Sequence, residues 1–189
     1  MRQAGISSAQ LAEGVCAMRQ VRYSVAMSLD GYIAGLKGEA DWIVMDPELD
    51  FAALWAQFDT LLMGRRTYEA AVARLGLSMM KGKRIVVASR TLKAEEAPEV
   101  RVIQDLTKAE MQALRSQASK DIWLMGGGVI FSHLLGLKEV DSIEVVTVPV
   151  LLSEGIPLVS AFEGRVQLKL EAHRVYRSGI VSLSYAVQY

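Results

Sequence analysis

The chain has 189 residues, 51% hydrophobic and 22% charged, which suits one folded domain with a sizeable core rather than a disordered or fibrous chain. Lys plus Arg and Asp plus Glu both number 21, so no bulk charge points to nucleic acid or to a membrane surface. Cys16 is the only cysteine and His133 and His173 lie far apart, which excludes an intrachain disulfide and leaves no metal-ligand spacing.

A chain without disulfides fits the reducing cytoplasm, and no run nears the ~18–20 apolar residues that span a bilayer. Residues 1–20 lack the compact apolar stretch of a signal peptide and read as a poorly ordered extension ahead of one domain over residues 21–189. VRYSVAMSL (21–29) is a buried strand, ended by the turn-favouring Asp30-Gly31. Asp46 then serves as N-cap and Pro47 as first turn of a helix carrying Leu49, Ala52, Ala53 and Ala56 at helical spacing. TLLMG (60–64) is a strand and RRTYEAAVARL (65–75) a helix. KRIVVAS (83–89) and EVRVIQ (99–104) are strands. Thr107 caps a helix over 108–118.

DIWLM (121–125) is a strand that runs into Gly126, Gly127 and Gly128, and a helix over 129–136 follows, in which His133 reads as a packed or surface residue rather than a ligand. Residues 141–150 form a further strand. The segments 166–177 and 180–189 alternate apolar and polar residues around Ser178-Gly179, a two-residue hairpin turn. Strands alternating with helices, closed by an antiparallel hairpin, predict an α/β domain with a mixed, mostly parallel sheet.

Four strand ends carry residues suited to a phosphate-bearing ligand: AMSLDGYIAG (26–35), LLMGRRTYE (61–69), VVASRTL (86–92) and WLMGGGVIF (123–131). In open α/β sheets ligands bind beyond the carboxyl ends of the strands, where helix N-termini present free N–H groups. Each end alone is an ordinary turn. In this order, S-L-D-G-x-I-A, M-G-R-x-T-Y-E, V-x-A-S-R-T, M-G-G-G and V-x-T-V-P-V, they resemble the dihydrofolate reductase-like superfamily. The likeness is nearest to the reductase domain of bacterial bifunctional riboflavin-biosynthesis deaminase-reductases. It covers residues 21–189.

The resemblance implies a three-layer fold and an NADPH-dependent reductase acting on a small heterocycle, a ribosylaminopyrimidine or a pteridine. A divergent dihydrofolate reductase and a non-catalytic nucleotide-binding dimer are the alternatives. It implies that Gly64, Arg65 and Thr67 hold the pyrophosphate side, and that Ser89 and Arg90 meet the 2′-phosphate. Gly126, Gly127 and Gly128 would let the backbone touch the cofactor, the first two through a cis peptide, with Val129, Ile130 and Phe131 opening the next helix. Ala26 and Ile33 would flank the nicotinamide, with Thr147 nearby on a neighbouring strand. The relatives are commonly dimers, and the alternating C-terminal strands offer an apolar face for a homodimer.

Three carboxylates compete for the proton-handling role. Glu48 lies sixteen residues before Gly64, the family spacing, and Asp50 is one alternation further on. Both also suit a helix N-terminus. Asp30 sits beside the expected nicotinamide, or else caps its own turn. Trp42 reads as a substrate cover or a loop anchor. A phosphorylated substrate would want a second basic site, for which Arg74, Lys81 and Arg84 are available. Phe131 stands where many folate enzymes have tyrosine, which weakens dihydrofolate as the substrate.

Overall fold

The computed structural model describes residues 19–44 and 46–189, so the expected extension lies outside it except for Arg19 and Gln20. Eight strands of the described residues form one sheet: β1 (Val21–Ser28), β3 (Phe58–Gly64), β4 (Arg84–Ala88), β5 (Arg101–Ile103), β6 (Asp121–Gly126), β7 (Ser142–Val148), β9 (Gln167–Val175) and β10 (Val181–Gln188). Their order is β5-β4-β3-β6-β1-β7-β10-β9. Every pair from β5 to β7 is parallel, and β10 and β9 add an antiparallel hairpin. This is the mixed, mostly parallel sheet predicted above.

Helices α1 (Phe51–Ala56), α2 (Arg65–Leu75), α3 (Lys108–Gln117) and α4 (Gly128–Leu137) cover its two faces. Strand alternation divides the core between them. Val21, Tyr23, Leu62, Ile122 and Leu124 pack with Met111 and Leu114 of α3 and Leu134 of α4. Leu61, Met63, Val87 and Trp123 pack on the opposite face with Tyr68 of α2 and Trp55 of α1. His133 lies exposed on α4, with its Nε2 2.6 Å from Leu106 O.

Helix α1 departs from expectation. It begins at Phe51, and its N-cap is Asp50, whose carboxylate accepts from Ala53 N at 2.8 Å. Asp46 does not cap it. Its side chain accepts from Glu48 N at 2.7 Å and from Ser178 of the distant hairpin, so residues 46–49 close as a turn instead. No residue of α1 is buried, and its ends hold it: Lys83 Nζ donates to Trp55 O (2.8 Å) and Phe58 O (2.5 Å), and Lys120 Nζ to Ala56 O (2.7 Å). Cations on the last carbonyls satisfy groups that the helix leaves open.

Two further differences bear on the site. Short strands β2 (Tyr32–Ala34) and β8 (Ile156–Pro157) pair antiparallel outside the main sheet. The hairpin loop has three residues rather than two. Tyr176 N donates to Ile180 O, Gly179 N donates to Tyr176 O, and Gly179 takes φ +85°, the left-handed conformation this loop length uses.

Candidate functional site

The parallel strands end together at Ser28, Gly64, Ala88, Gly126 and Val148. From the adjacent strands β3 and β6, helices α2 and α4 depart onto opposite faces. A crevice opens where such connections diverge, and both helix N-termini point into it. Gly64 is the N-cap of α2 and Gly127 that of α4, and neither has a side chain to occupy the free N–H groups.

The glycines differ in what they permit. Gly126 has φ +122° and is joined to Gly127 by a cis peptide, as expected. A Cβ on Gly128 would lie 2.8 Å from Pro157 O, so that residue is glycine because the 157–160 loop lies on it. A Cβ on Gly127 would meet only Thr67 Oγ1, at 3.8 Å, and one on Gly64 would meet nothing within 4 Å. Neither has positive φ. No contact of the described protein atoms requires glycine at 64 or 127, and both face the crevice. Thr67, Gly64 and Gly127 are thus brought to one place, as the sequence implies.

Beside α2, Arg65 donates from Nη1 to Thr91 Oγ1 (3.1 Å) and pairs with Glu69 (2.6 Å), tying that helix to the loop after β4. Ser89 is buried, and its Oγ accepts from Thr91 N and Leu92 N, which shapes that loop. Arg90 is 85% exposed and makes one long, solvent-exposed ion pair, 3.7 Å to Asp105. Val129 is 76% exposed beside the glycines. Ile130 is in the core, and Phe131 stacks on Tyr23 at 3.8 Å, both away from the crevice.

Ala26 is in register with Val146, and Thr147 with Met27, so alternation turns Ala26 and Thr147 to opposite faces of the sheet. Ile33 lies in β2, which packs against β1. Trp42 is half-buried in the loop before the 46–49 turn.

The three carboxylates separate clearly. Asp30 accepts from Ser28 Oγ (2.6 Å), Ser153 N (2.7 Å) and Leu152 N (3.1 Å). The Ser28 hydroxyl and these backbone amides hold it below the ordinary carboxylate range, so it both bonds within its own turn and clamps the 152–153 loop. Asp50 caps α1. Only Glu48 has its oxygens on exposed side chains: Arg174 Nη2 at 3.3 Å and Arg177 Nε at 3.7 Å. Those arginines, 126 and 129 residues further along, carry no sequence signal linking them to Glu48. Of the cations expected to serve a substrate phosphate, Lys81 and Arg84 lie at the opposite, N-terminal end of β4, and Arg74 donates to Ala40 O at 2.7 Å.

Comparison with known proteins identifies the family and the fold. A family model described as RibD C-terminal domain matches residues 19–182. The uncharacterized protein YyaP of Bacillus subtilis (strain 168) is 32% identical over 178 residues, covering 88% of this chain and 94% of its own. The diaminohydroxyphosphoribosylaminopyrimidine deaminase/5-amino-6-(5-phosphoribosylamino)uracil reductase of Thermotoga maritima superposes with TM-score 0.66 at 17% identity, over 89% of this chain and 56% of that one. Dihydrofolate reductase from Enterococcus faecalis, complexed with NADP(H), superposes with TM-score 0.65 at 17% identity, over 90% of this chain and 97% of that one. The fold is therefore dihydrofolate reductase-like.

Proposed function

The chain belongs to the RibD C-terminal domain family, and on that premise we propose that it is an NADPH-dependent reductase of a small heterocycle, of the ribosylaminopyrimidine or pteridine class. The observation that carries this reading is the crevice between the N-termini of α2 and α4, floored by Gly64 and Gly127, whose missing side chains no intrachain contact explains. The donor set fits a dinucleotide phosphate: two helix N-termini, Thr67 and Arg65 for the pyrophosphate, and the exposed Arg90 beside Ser89 for a 2′-phosphate. Gly126, Gly127, Gly128 and Val129 would hold the nicotinamide side, against Ala26 and Ile33.

NADPH, when bound, supplies the hydride. The chain's own residues position the substrate and exclude water, which are the protein's main contributions to such a reaction. Glu48 is the carboxylate left to hold or deliver a proton, since Asp30 and Asp50 are engaged by backbone N–H groups.

Purified protein is first titrated with NADPH and NADH, then assayed for NADPH oxidation with dihydrofolate, dihydropterins and ribosylaminopyrimidines. Tight NADPH binding and turnover of one of these heterocycles is expected. Failure to bind NADPH would overturn the reading, and binding without turnover of any of them would favour the non-catalytic dimer. Nanomolar methotrexate binding would favour a folate enzyme. Arg90→Ala should lose about tenfold or more in NADPH affinity, the scale of one charge-assisted hydrogen bond, and little in NADH affinity. Equal losses would remove Arg90 from the 2′-phosphate.

A further inference from the structure

The chain between β8 and β9, residues 158–166, has no regular structure and runs from the crevice to the edge of the sheet. Its first residues lie at the crevice end. Leu158 N donates to Gly31 O (2.9 Å), Tyr23 Oη to Leu158 O (3.1 Å) and Ser132 Oγ to Ser160 O (2.8 Å). Ser160 N donates to Gly128 O at 3.5 Å, and a Cβ on Gly128 would lie 3.3 Å from the same nitrogen. The segment is therefore a wall against the first turn of α4, whose N-cap Gly127 faces the crevice.

The same segment is a wall of an apolar groove of about 320 Å³ on the α4 side of the sheet. Leu158, Val159, Phe162 and Val166 line it, with Leu183 and Tyr185 of β10. None of the four is buried, so the segment lacks packing on that side. The edge strand β9 borders the groove, and all nine of its residues are exposed. By register with Val187, Tyr185, Leu183 and Val181, its Leu168, Leu170, His173 and Val175 share the groove's face. That face carries no lysine, arginine or carboxylate. A long edge strand with such a face is what a monomer avoids. Projecting apolar side chains beside a groove, both on one surface, are self-complementary, as a two-fold contact requires. The occupant that fits is a second copy of this chain.

We propose that the seating of a second copy on this groove is coupled to cofactor binding through residues 158–166, so that NADPH and dimer formation strengthen each other. The second copy covers Leu158, Val159 and Phe162 and fixes the segment. The fixed segment in turn holds Gly127 and Gly128 where the cofactor meets them. Whichever partner binds first orders the segment, and the other then binds without that cost. This rests on the reductase reading and adds to it a dependence on assembly.

The test is a fluorescence titration of the full chain with NADPH, at chain concentrations on both sides of the dimer dissociation constant found by sedimentation. Affinity in the wild type should rise about tenfold from monomer to dimer, a size usual for coupled sites. Leu170→Glu should keep the lower affinity at every concentration. By reciprocity, saturating NADPH should tighten the wild-type dimer about tenfold for each of its two sites, about a hundredfold in all. Without NADPH, the Leu158 and Ser160 amides should exchange more slowly in the wild-type dimer than in Leu170→Glu. Equal NADPH affinity in monomer and dimer, tighter binding by the monomer, equal exchange of those amides, or a wild type that stays monomeric overturns the proposal, while NADPH binding itself keeps the reductase reading. No NADPH binding at any concentration overturns both.

Discussion

Gly127 and Gly128 are neighbours in the chain, and each lacks a side chain for its own reason. At Gly128 the reason is internal, a carbonyl of the 157–160 loop 2.8 Å from where a Cβ would stand. At Gly127 the space is open except for Thr67 Oγ1 at 3.8 Å, and the proposed cofactor would supply the reason. Gly128→Ala should therefore destabilise the fold by about 1–3 kcal/mol, the usual cost of overpacking, lowering Tm by roughly 3–10 °C. Gly127→Ala should leave Tm nearly unchanged and weaken NADPH. Thermal unfolding and cofactor titration of the two variants separate these effects, and a large Tm loss in Gly127→Ala would contradict the ligand-facing assignment. The three candidate carboxylates follow the same logic. Residue type and spacing nominate all three, while the atoms around them leave only Glu48 unengaged by the backbone.

The elements around the crevice are held by polar contacts as much as by burial. Helix α1 has no buried residue and relies on Asp50, Lys83 and Lys120 at its ends. The loop over the crevice is fastened by the β2–β8 pair, by Leu158 N donating to Gly31 O at 2.9 Å, and by the Asp30 clamp on Leu152 and Ser153. Asp30 carries a pH dependence. Its Ser28 and backbone hydrogen bonds lower its pKa from 3.8, so the folded state favours the ionised form more than the unfolded state does. The stability it contributes is complete above that unfolded value and is lost as pH falls through the lower folded one. In acid, the protection factors of the Leu152 and Ser153 amides should fall ahead of those of the sheet. Asp30→Asn should exchange rapidly there even at neutral pH. Equal protection in the wild type and the variant would show that the clamp does not hold the loop.

For the whole molecule, the distribution of helices leaves the β10–β9 end of one sheet face uncovered. On the side of α4, residues such as Ile143, Val145, Leu183, Tyr185, Phe162 and Leu168 line an apolar groove of about 320 Å³. Leu170 and Val175 of the edge strand β9 are 48% and 68% exposed and share this face by register with Tyr185 and Val181. Projecting apolar side chains beside an apolar groove suit a two-fold contact, in which each copy enters the other's groove. The homodimer expected from the sequence should use this surface. Sedimentation should give twice the 20.7 kDa chain mass, and Leu170→Glu should give a folded monomer. A wild-type monomer at micromolar concentration would exclude it.

Hydrophobic periodicity, turn residues and the four strand ends made the order of the main elements, the parallel sheet and the crevice glycines readable from the chain alone. These features are local, or repeat with the period of a strand or helix. The start of α1 was not readable, because Asp46 is claimed by Ser178 across the fold. Short strands β2 and β8, three and two residues long, have no periodicity to detect. The roles of Ile130 and Thr147 depended on which way a side chain turns, a matter of helix packing and sheet register. By itself the sequence determined which strand ends carry glycine, hydroxyl and arginine residues beside helix N-termini. Only the tertiary structure decided which carboxylate is available and which arginines face it, since Glu48, Arg174 and Arg177 meet solely through the folding back of the terminal hairpin.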